Sequence, residues 1–234
     1  MPDDIKPILT FRRVTFRATS HLADDVADAS FDILPSQLML LRLDRQTEDV
    51  PFFDLAEGLE RPDSGVVEFL GEDWQSLSAF DQARRRGRIG RVFEGQAWVS
   101  NLDVYENLVL AQRHHTARTE SELREEAALL MREAGFATIP VGRTHLLRRH
   151  ELQQAQWARA FMGRPALVLL DEAETDVPPD SVERLIAMVQ ERLAQGTAII
   201  WSTTDARIWQ HEALKGSRRF SLAAGRLAGV EGNA

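Results

Sequence analysis

The sequence predicts an α/β fold, a largely parallel sheet covered by helices on both faces, from three features. Short apolar runs at Met39–Leu43, Ala166–Leu170 and Thr197–Trp201 suit strands buried on both sides. Between them stand segments with apolar residues at helical intervals, the pattern of βα units. One long helical stretch, residues 100 to 163, interrupts the alternation and reads as an insertion. The 234 residues suffice for one such domain, or for a core with a small subdomain.

Each element has a local reason. Leu9 to Ala18 and Ala27 to Ile33 alternate apolar and polar residues, as strands opening a sheet do. Pro51 suits the first position of the helix that follows the Met39 strand, and Gly58 its end. Pro62 to Gly65 is a turn before a strand at Val66 to Leu70, and Arg88 to Glu94 is a further short strand. Thr119 and Glu122 have capping-box spacing, and Leu123, Ala127, Leu130, Met131 and Ala134 follow at helical intervals until Gly135. His150 to Met162 is a second helix of the insertion. Asp180 to Gln195 carries Val182, Leu185, Ile186, Val189 and Leu193 on one face and stops at Gly196. Arg219 to Val230 forms a closing hairpin.

Composition narrows the function classes. Hydrophobic residues make up 44% and charged residues 27%, which is ordinary for a globular chain. A net charge of −8 disfavours general attraction to nucleic acid or to an acidic membrane. The chain has no cysteine, which excludes disulfides and thiol chemistry. The N-terminal MPDDIKPILTF does not read as a signal peptide, and no stretch nears the ~18–20 apolar residues that span a bilayer. Work at a membrane would need another chain as anchor.

A buried strand, a tight loop and a helix, as at residues 38–57, is the usual setting of a phosphate-binding loop. Yet Gln37 to Glu57 contains no glycine and no lysine. The reason emerges from three longer stretches: GLERPDSGVVEFLGEDW, IGRVFEGQAWVSNLDVYENLVL and ARAFMGRPALVLLDEA. In order and spacing they resemble the ATP-binding subunits of ABC transporters, most of all those of the Mla and Mce lipid-transport systems. The resemblance covers nearly the whole chain. It implies a P-loop NTPase (RecA-like) core over about 1–95 and 164–234, with an N-terminal antiparallel β portion. A helical subdomain over about 96–163 is inserted, and the whole forms one ABC-type domain.

The resemblance also shows what is changed. The Walker A loop falls on Leu43 to Val50, with Asp49 in place of the phosphate-binding lysine and Val50 in place of the magnesium-holding Ser/Thr. Such a loop works because glycines let backbone N–H groups curl around phosphate while lysine neutralises it. Here Asp44, Glu48 and Asp49 against Arg45 leave it at −2. A carboxylate near a phosphate charge costs on the order of 4 kcal/mol at an effective dielectric of about 20. The Q-loop glutamine is replaced by Glu94, and the H-loop histidine by Thr204. The signature LSGGQ falls on Leu147, Arg148, Arg149, His150 and Glu151, and the D-loop on Thr175 to Pro178. Walker B alone is retained, with Asp171 in the magnesium-directed place and Glu172 in that of the general base.

Each of these also has a plain structural reading. Asp171 and Glu172 can be a strand terminus that kept its acids, and Arg148 and Arg149 a solvated or subunit-contacting surface. Arg84, Arg85, Arg86 and Arg88 lack interleaved aromatics and suit a helix end rather than nucleic acid. The histidine pairs lack ligand spacing, so no metal is expected. Trp98, Trp157 and Trp201 fit a core or an interface.

The expectation is a pseudo-ATPase subunit of a lipid-type ABC transporter, with no ATP or magnesium bound. It would serve a structural or coupling role beneath a membrane permease on the inner face of the plasma membrane, in the cytoplasm. Expected partners are that permease, a second nucleotide-binding subunit and an Mce-type lipid-binding protein; nucleic acid is not among them. Val99, Leu102, Val104 and Leu108 are the candidate apolar face toward a permease helix or the helical subdomain. Alternatives are a divergent active ATPase paired with an intact partner, and a scaffold or regulator with no permease.

Overall fold

The computed structural model describes residues 5–17, 25–43, 51–95 and 97–230. Strands β1 (Leu9–Phe16), β2 (Val26–Ile33) and β3 (Leu38–Leu43) open the chain. After α1 (Phe52–Ala56) come β4 (Ser64–Phe69), β5 (Glu72–Asp73), α2 (Ala79–Arg86) and β6 (Ile89–Val92). The helical insertion consists of α3 (Val104–His115), α4 (Glu120–Glu133) and α5 (Arg149–Phe161). Then β7 (Leu167–Asp171), α6 (Pro179–Ala194), β8 (Ala198–Ser202), α7 (Ala206–Trp209), β9 (Arg218–Ala223) and β10 (Arg226–Gly229) complete it.

The strands form one sheet in the order β5-β4-β1-β2-β10-β9-β3-β8-β7-β6. From β9 to β6 every neighbour is parallel, while β1, β2, β4 and β5 pair antiparallel with one another; β10 joins the two portions, parallel to β2 and antiparallel to β9. The predicted fold, a parallel core with an N-terminal antiparallel portion and a helical insertion, is the observed one. Strands β3, β7 and β8 are buried almost throughout, as their unbroken apolar runs require.

The sheet separates two apolar clusters. One holds α1 against the antiparallel portion, through Phe11, Phe31, Phe52 and Phe53. The other joins α3, α4, α5 and α6 to the opposite sheet face, with Trp157 and Trp201 at 0% exposure. Helix α5 lies close on β6: a Cβ at Gly90 would stand 1.7 Å from the Ala160 carbonyl oxygen, so only glycine fits. Capping boxes start α3 (Asp103 with Glu106) and α4 (Thr119 with Glu122), and Gly135 at φ 105° follows the end of α4.

Candidate functional site

The candidate residues gather at the carboxyl ends of β3, β6, β7 and β8, where open parallel sheets place their ligands. Asp171 closes β7, and its Oδ1 accepts a hydrogen bond from Ser202 Oγ at 2.6 Å. Glu172 turns the chain at φ 45°, and its N–H donates to the Ser202 carbonyl at 3.1 Å. Thr204, which follows β8, is exposed.

Three residues after Asp171 lies a group that the sequence does not announce. Glu174 is 8% exposed, and its carboxylate accepts from Trp201 Nε1 at 2.9 Å and from the Thr203 hydroxyl. Burial pushes its pKa above the ordinary carboxylate value, against the two hydrogen bonds that pull it down. The Ala173 carbonyl accepts from Trp157 Nε1 at 2.9 Å and Gln153 Nε2 at 3.3 Å. The segment after β7 is therefore held by α5 on one side and β8 on the other. Asp205 caps α7, and its hydrogen bonds from Arg207 hold its carboxyl below the usual range.

The Q-loop region is tied to α5. Gln156 Nε2 donates to the Gly95 carbonyl at 2.9 Å, while its Oε1 accepts from the Phe93 N–H at 3.4 Å. Arg159 donates to the Ala97 carbonyl at 2.5 Å and lies 4.7 Å over the Trp98 ring; burial lowers its pKa to about 10. Glu94 sits exposed between these anchors. On the other face of β6, Arg91 is enclosed by Glu57 at 2.5 Å, Asp54, and the rings of Phe53 and Phe93.

The signature-equivalent residues open α5. Arg148 and Arg149 are exposed, and Leu147, His150 and Glu151 are half-buried. Glu151 Oε2 accepts from the Arg148 N–H at 2.7 Å, and Arg149 meets Asp176 at 3.4 Å. Gly95, His145, Leu147, Arg149, Gln153 and Asp176 border a cleft of about 480 Å³ here. Of the Walker A candidates, Leu43 is buried at the end of β3; Asp44, Glu48, Asp49 and Val50 lie outside the described residues. Among the described residues no trio of His, Cys, Asp or Glu could hold a metal.

The four candidate partner residues divide. Val99 is 41% exposed and Leu102 half-buried, but Val104 and Leu108 are at 0% and 1%, packed in the cluster of α4 and α5. Their face meets the helical subdomain and cannot reach an outside partner. The turn carrying Val99 and Leu102 is braced by buried Asn107, whose Oδ1 accepts from Val99 N–H at 2.9 Å and whose Nδ2 donates to Val99 O at 3.1 Å.

A profile of the ABC transporter family matches residues 52–175. The chain belongs to the ABC transporter family. This ABC cassette is 30% identical over 170 residues to the lipoprotein-releasing system ATP-binding protein LolD 2 of Rhodospirillum rubrum, covering 72% of each chain. It is 30% identical over 148 residues to the pyoverdine export ATP-binding/permease protein PvdT of Pseudomonas aeruginosa, matching 63% of this chain and 22% of that one. With the methionine import ATP-binding protein MetN of Rhizobium etli it shares 30% over 134 residues, 57% of this chain and 37% of that one. The cassette fold is shared with a dimeric bacterial ABC transporter cassette at TM-score 0.82 and 17% identity, over 96% and 99% of the chains. A post-hydrolysis dimer bound to ADP and Pi aligns at TM-score 0.80. These relatives move unlike cargoes in both directions, so they establish the family and leave the cargo open. Among the described residues no helix is long and apolar enough to cross a membrane.

Proposed function

We propose that this ABC cassette is a catalytically degenerate subunit that couples to a membrane permease without hydrolysing ATP. The observation that carries the reading is the content of residues 43–50, which join β3 to α1 with neither glycine nor lysine. Phosphate binding at that turn needs both backbone N–H groups free to converge and a cation. The chain offers three carboxylates instead. Around Walker B, Ser202 bonds Asp171, and Trp201 and Thr203 bond Glu174. These contacts give the site an internal network that needs no nucleotide to satisfy it.

The docking role rests on the Q-loop region and the turn after it. Gln156 bonds Phe93 and Gly95, Arg159 bonds Ala97, and Asn107 bonds Val99, which ties these residues to the helical subdomain. Val99 and Leu102 then stand where a permease helix would seat. The cargo we propose is a lipid, on the likeness of AWVSNLDVYENL to the Mla and Mce cassettes; one relative is itself named for lipoprotein release. The partners are a permease, a second cassette and an Mce-type protein, with the chain on the cytoplasmic face of the membrane.

Calorimetry with Mg-ATP tests the first part. We expect no binding at millimolar nucleotide. A dissociation constant at or below about 100 µM, roughly −5.5 kcal/mol, overturns the degenerate reading. The retained Asp171 and Glu172 favour the second reading, an active ATPase completed by an intact partner subunit. It gains ground if Mg-ATP is hydrolysed only in a mixed complex.

A further inference from the structure

Among the described residues the most exposed large apolar side chain is Val141, at 96%, in the loop between α4 and α5. Leu146, in the same loop, stands at 67%. It folds back on the turn that bears Val141: a Cβ built on Gly142, at φ 100°, would lie 3.0 Å from Leu146 Cδ1. The turn has a firm base. The Gly142 carbonyl accepts from the Val104 N–H at 3.0 Å, Arg143 forms a β-bridge with Asp103, and Thr144 is buried. Two apolar side chains are thus held toward solvent by an ordered turn.

The charge of this loop runs against that of the chain. Residues 134–150 contain no Asp or Glu, although the chain carries −8. Arg143, Arg148 and Arg149 are exposed. Arg149 meets Asp176 at 3.4 Å, whereas Arg143 and Arg148 have no ion-pair partner among the described residues. Leu147 and Arg148 are extended backbone, at ψ 150° and 161°, so their side chains alternate. Leu147 packs on the core, which turns Leu146 and Arg148 outward together.

The repulsion due to the whole chain is screened beyond about 8 Å at physiological ionic strength, so at contact the local charge decides. Apolar side chains projecting from a turn suit a bilayer interface, which opens around any shape; a protein partner would need a pocket shaped for Val141. The neighbouring cleft of about 480 Å³ is bordered by Leu147 and Arg149 and by neither Val141 nor Leu146. Single-stranded nucleic acid would look for stacking aromatics, and Phe136, the one Phe, Tyr or Trp in residues 134–150, packs on the core.

We propose that the turn at residues 141–148 touches an acidic phospholipid surface directly. Val141 and Leu146 enter the interface, and Arg143 and Arg148 meet lipid phosphates. This goes beyond the proposed function, because the contact is with lipid and needs no permease. Two small insertions and two cations give a weak, reversible hold, which orients a cassette that another chain anchors.

The chain has no cysteine, so a single Val141→Cys accepts an environment-sensitive dye. With phosphatidylglycerol vesicles its emission should shift to the blue, and with phosphatidylcholine vesicles it should not. The same dye on Leu129→Cys, a 49% exposed position of α4, should stay unshifted with both. Flotation of the unlabelled full chain should favour phosphatidylglycerol by about tenfold or more and weaken with salt. Val141→Ser with Leu146→Ser, and Arg143→Glu with Arg148→Glu, should each weaken it by about tenfold. Arg143→Lys with Arg148→Lys should bind as wild type does. Arg84→Glu with Arg88→Glu makes the same charge change at exposed positions of another stretch and should leave flotation within about twofold. All these side chains are exposed, so melting temperatures should stay native.

Absent flotation, an unshifted dye at position 141, or equal loss in the Arg84, Arg88 control overturns the proposal. So does poly-glutamate binding that the Arg143, Arg148 variant loses while vesicles fail, which marks an acidic protein partner. Self-association lost in the Val141, Leu146 variant while vesicles fail marks a second copy and also overturns it. Leu102→Glu should bind vesicles as wild type does, and vesicle binding needs no nucleotide, so this proposal and the proposed function can fail separately.

Discussion

The indole Nε1–H of Trp201, on β8 in the parallel part of the sheet, donates to the carboxylate of Glu174 at 2.9 Å. Thr203 bonds the other oxygen, and Trp209 Nε1 donates to the Thr203 carbonyl at 2.9 Å. A buried carboxylate thus ties the segment after β7 to β8 and α7. Its desolvation is only partly offset, so its pKa in the folded chain lies above the ordinary 4.5.

A raised carboxylate pKa means that the folded state holds this proton more tightly than the unfolded state. The contribution to stability is complete below about pH 4.5 and is lost as pH rises through the folded value. Glu57 and Glu133 shift the same way, and Glu120, Glu122 and Asp205 the opposite way, so the comparison must be with a single variant. We expect wild type to lose stability relative to Glu174→Gln as pH is raised from 4.5. Urea unfolding across pH 4 to 8 measures it (pH range of about four units). Parallel curves would remove Glu174 as the source.

Arg91 offers a second test. Its side chain is 12% exposed and that of Glu57 10%, and Arg91 lies against the rings of Phe53 and Phe93. Removing one partner of a buried ion pair leaves the other charge stranded. Arg91→Met should cost about 3–5 kcal/mol, and the double variant Arg91→Met, Glu57→Leu should recover a large part of it. Denaturant midpoints of Arg91→Met, Glu57→Leu and the double variant decide it; additive losses would show that the pair is not coupled.

The fold was legible where burial leaves a one-dimensional trace. Strands β3, β7 and β8 are inside on both faces and read as unbroken apolar runs. Thr119 and Glu122 fix the start of α4 within four residues of sequence. The two-residue β5 and four-residue α7 are too short to carry a period, and α1 spans only five residues. The site was less legible because its bonds are distant. Gln156 and Gly95 are 61 positions apart, and Glu174 and Trp201 are 27 apart. Gln153, Gln154 and Gln156, set among Leu152, Ala155, Trp157 and Ala158 in α5, were the available signal, since buried amides must find partners. Nor does periodicity say which neighbour an apolar face meets, and Val104 and Leu108 turn inward.

That division makes docking testable in one series. Leu102→Glu alters a half-buried side chain on the turn braced by Asn107 and should leave the fold intact. Val104→Glu places a charge at 0% exposure and should destabilise by several kcal/mol, about 3 or more. We expect the first variant to leave the membrane fraction while keeping wild-type thermal stability, and the second to be lost through unfolding. If Leu102→Glu stays membrane-bound, the turn is not the attachment point.

Reinstating the lysine is informative because it repairs only part of the loop. Asp49→Lys changes the loop's charge by two units but supplies no glycine, so the backbone N–H groups still cannot converge on a phosphate. We expect no Mg-ATP binding by calorimetry. Measurable binding by this variant would show that the loop has kept its cradle and lacks only the cation.

The last test concerns Glu172, to which the family resemblance assigns the general-base position, just after β7, with its N–H bonded to the Ser202 carbonyl. In a working ATPase the carboxylate would take a proton from the attacking water, and its amide cannot. Loss of such a base lowers turnover by about 10²–10⁴-fold. If the cassette hydrolyses nothing, Glu172→Gln removes a charge at a half-buried position and no chemical step. Cells carrying only Glu172→Gln, at wild-type protein levels, should therefore transport as wild type does. Transport that collapses while the purified variant keeps its melting temperature would establish that Walker B still acts. The same substitution combined with Leu102→Glu should then behave as Leu102→Glu alone, because in the proposed function attachment is the property on which transport depends.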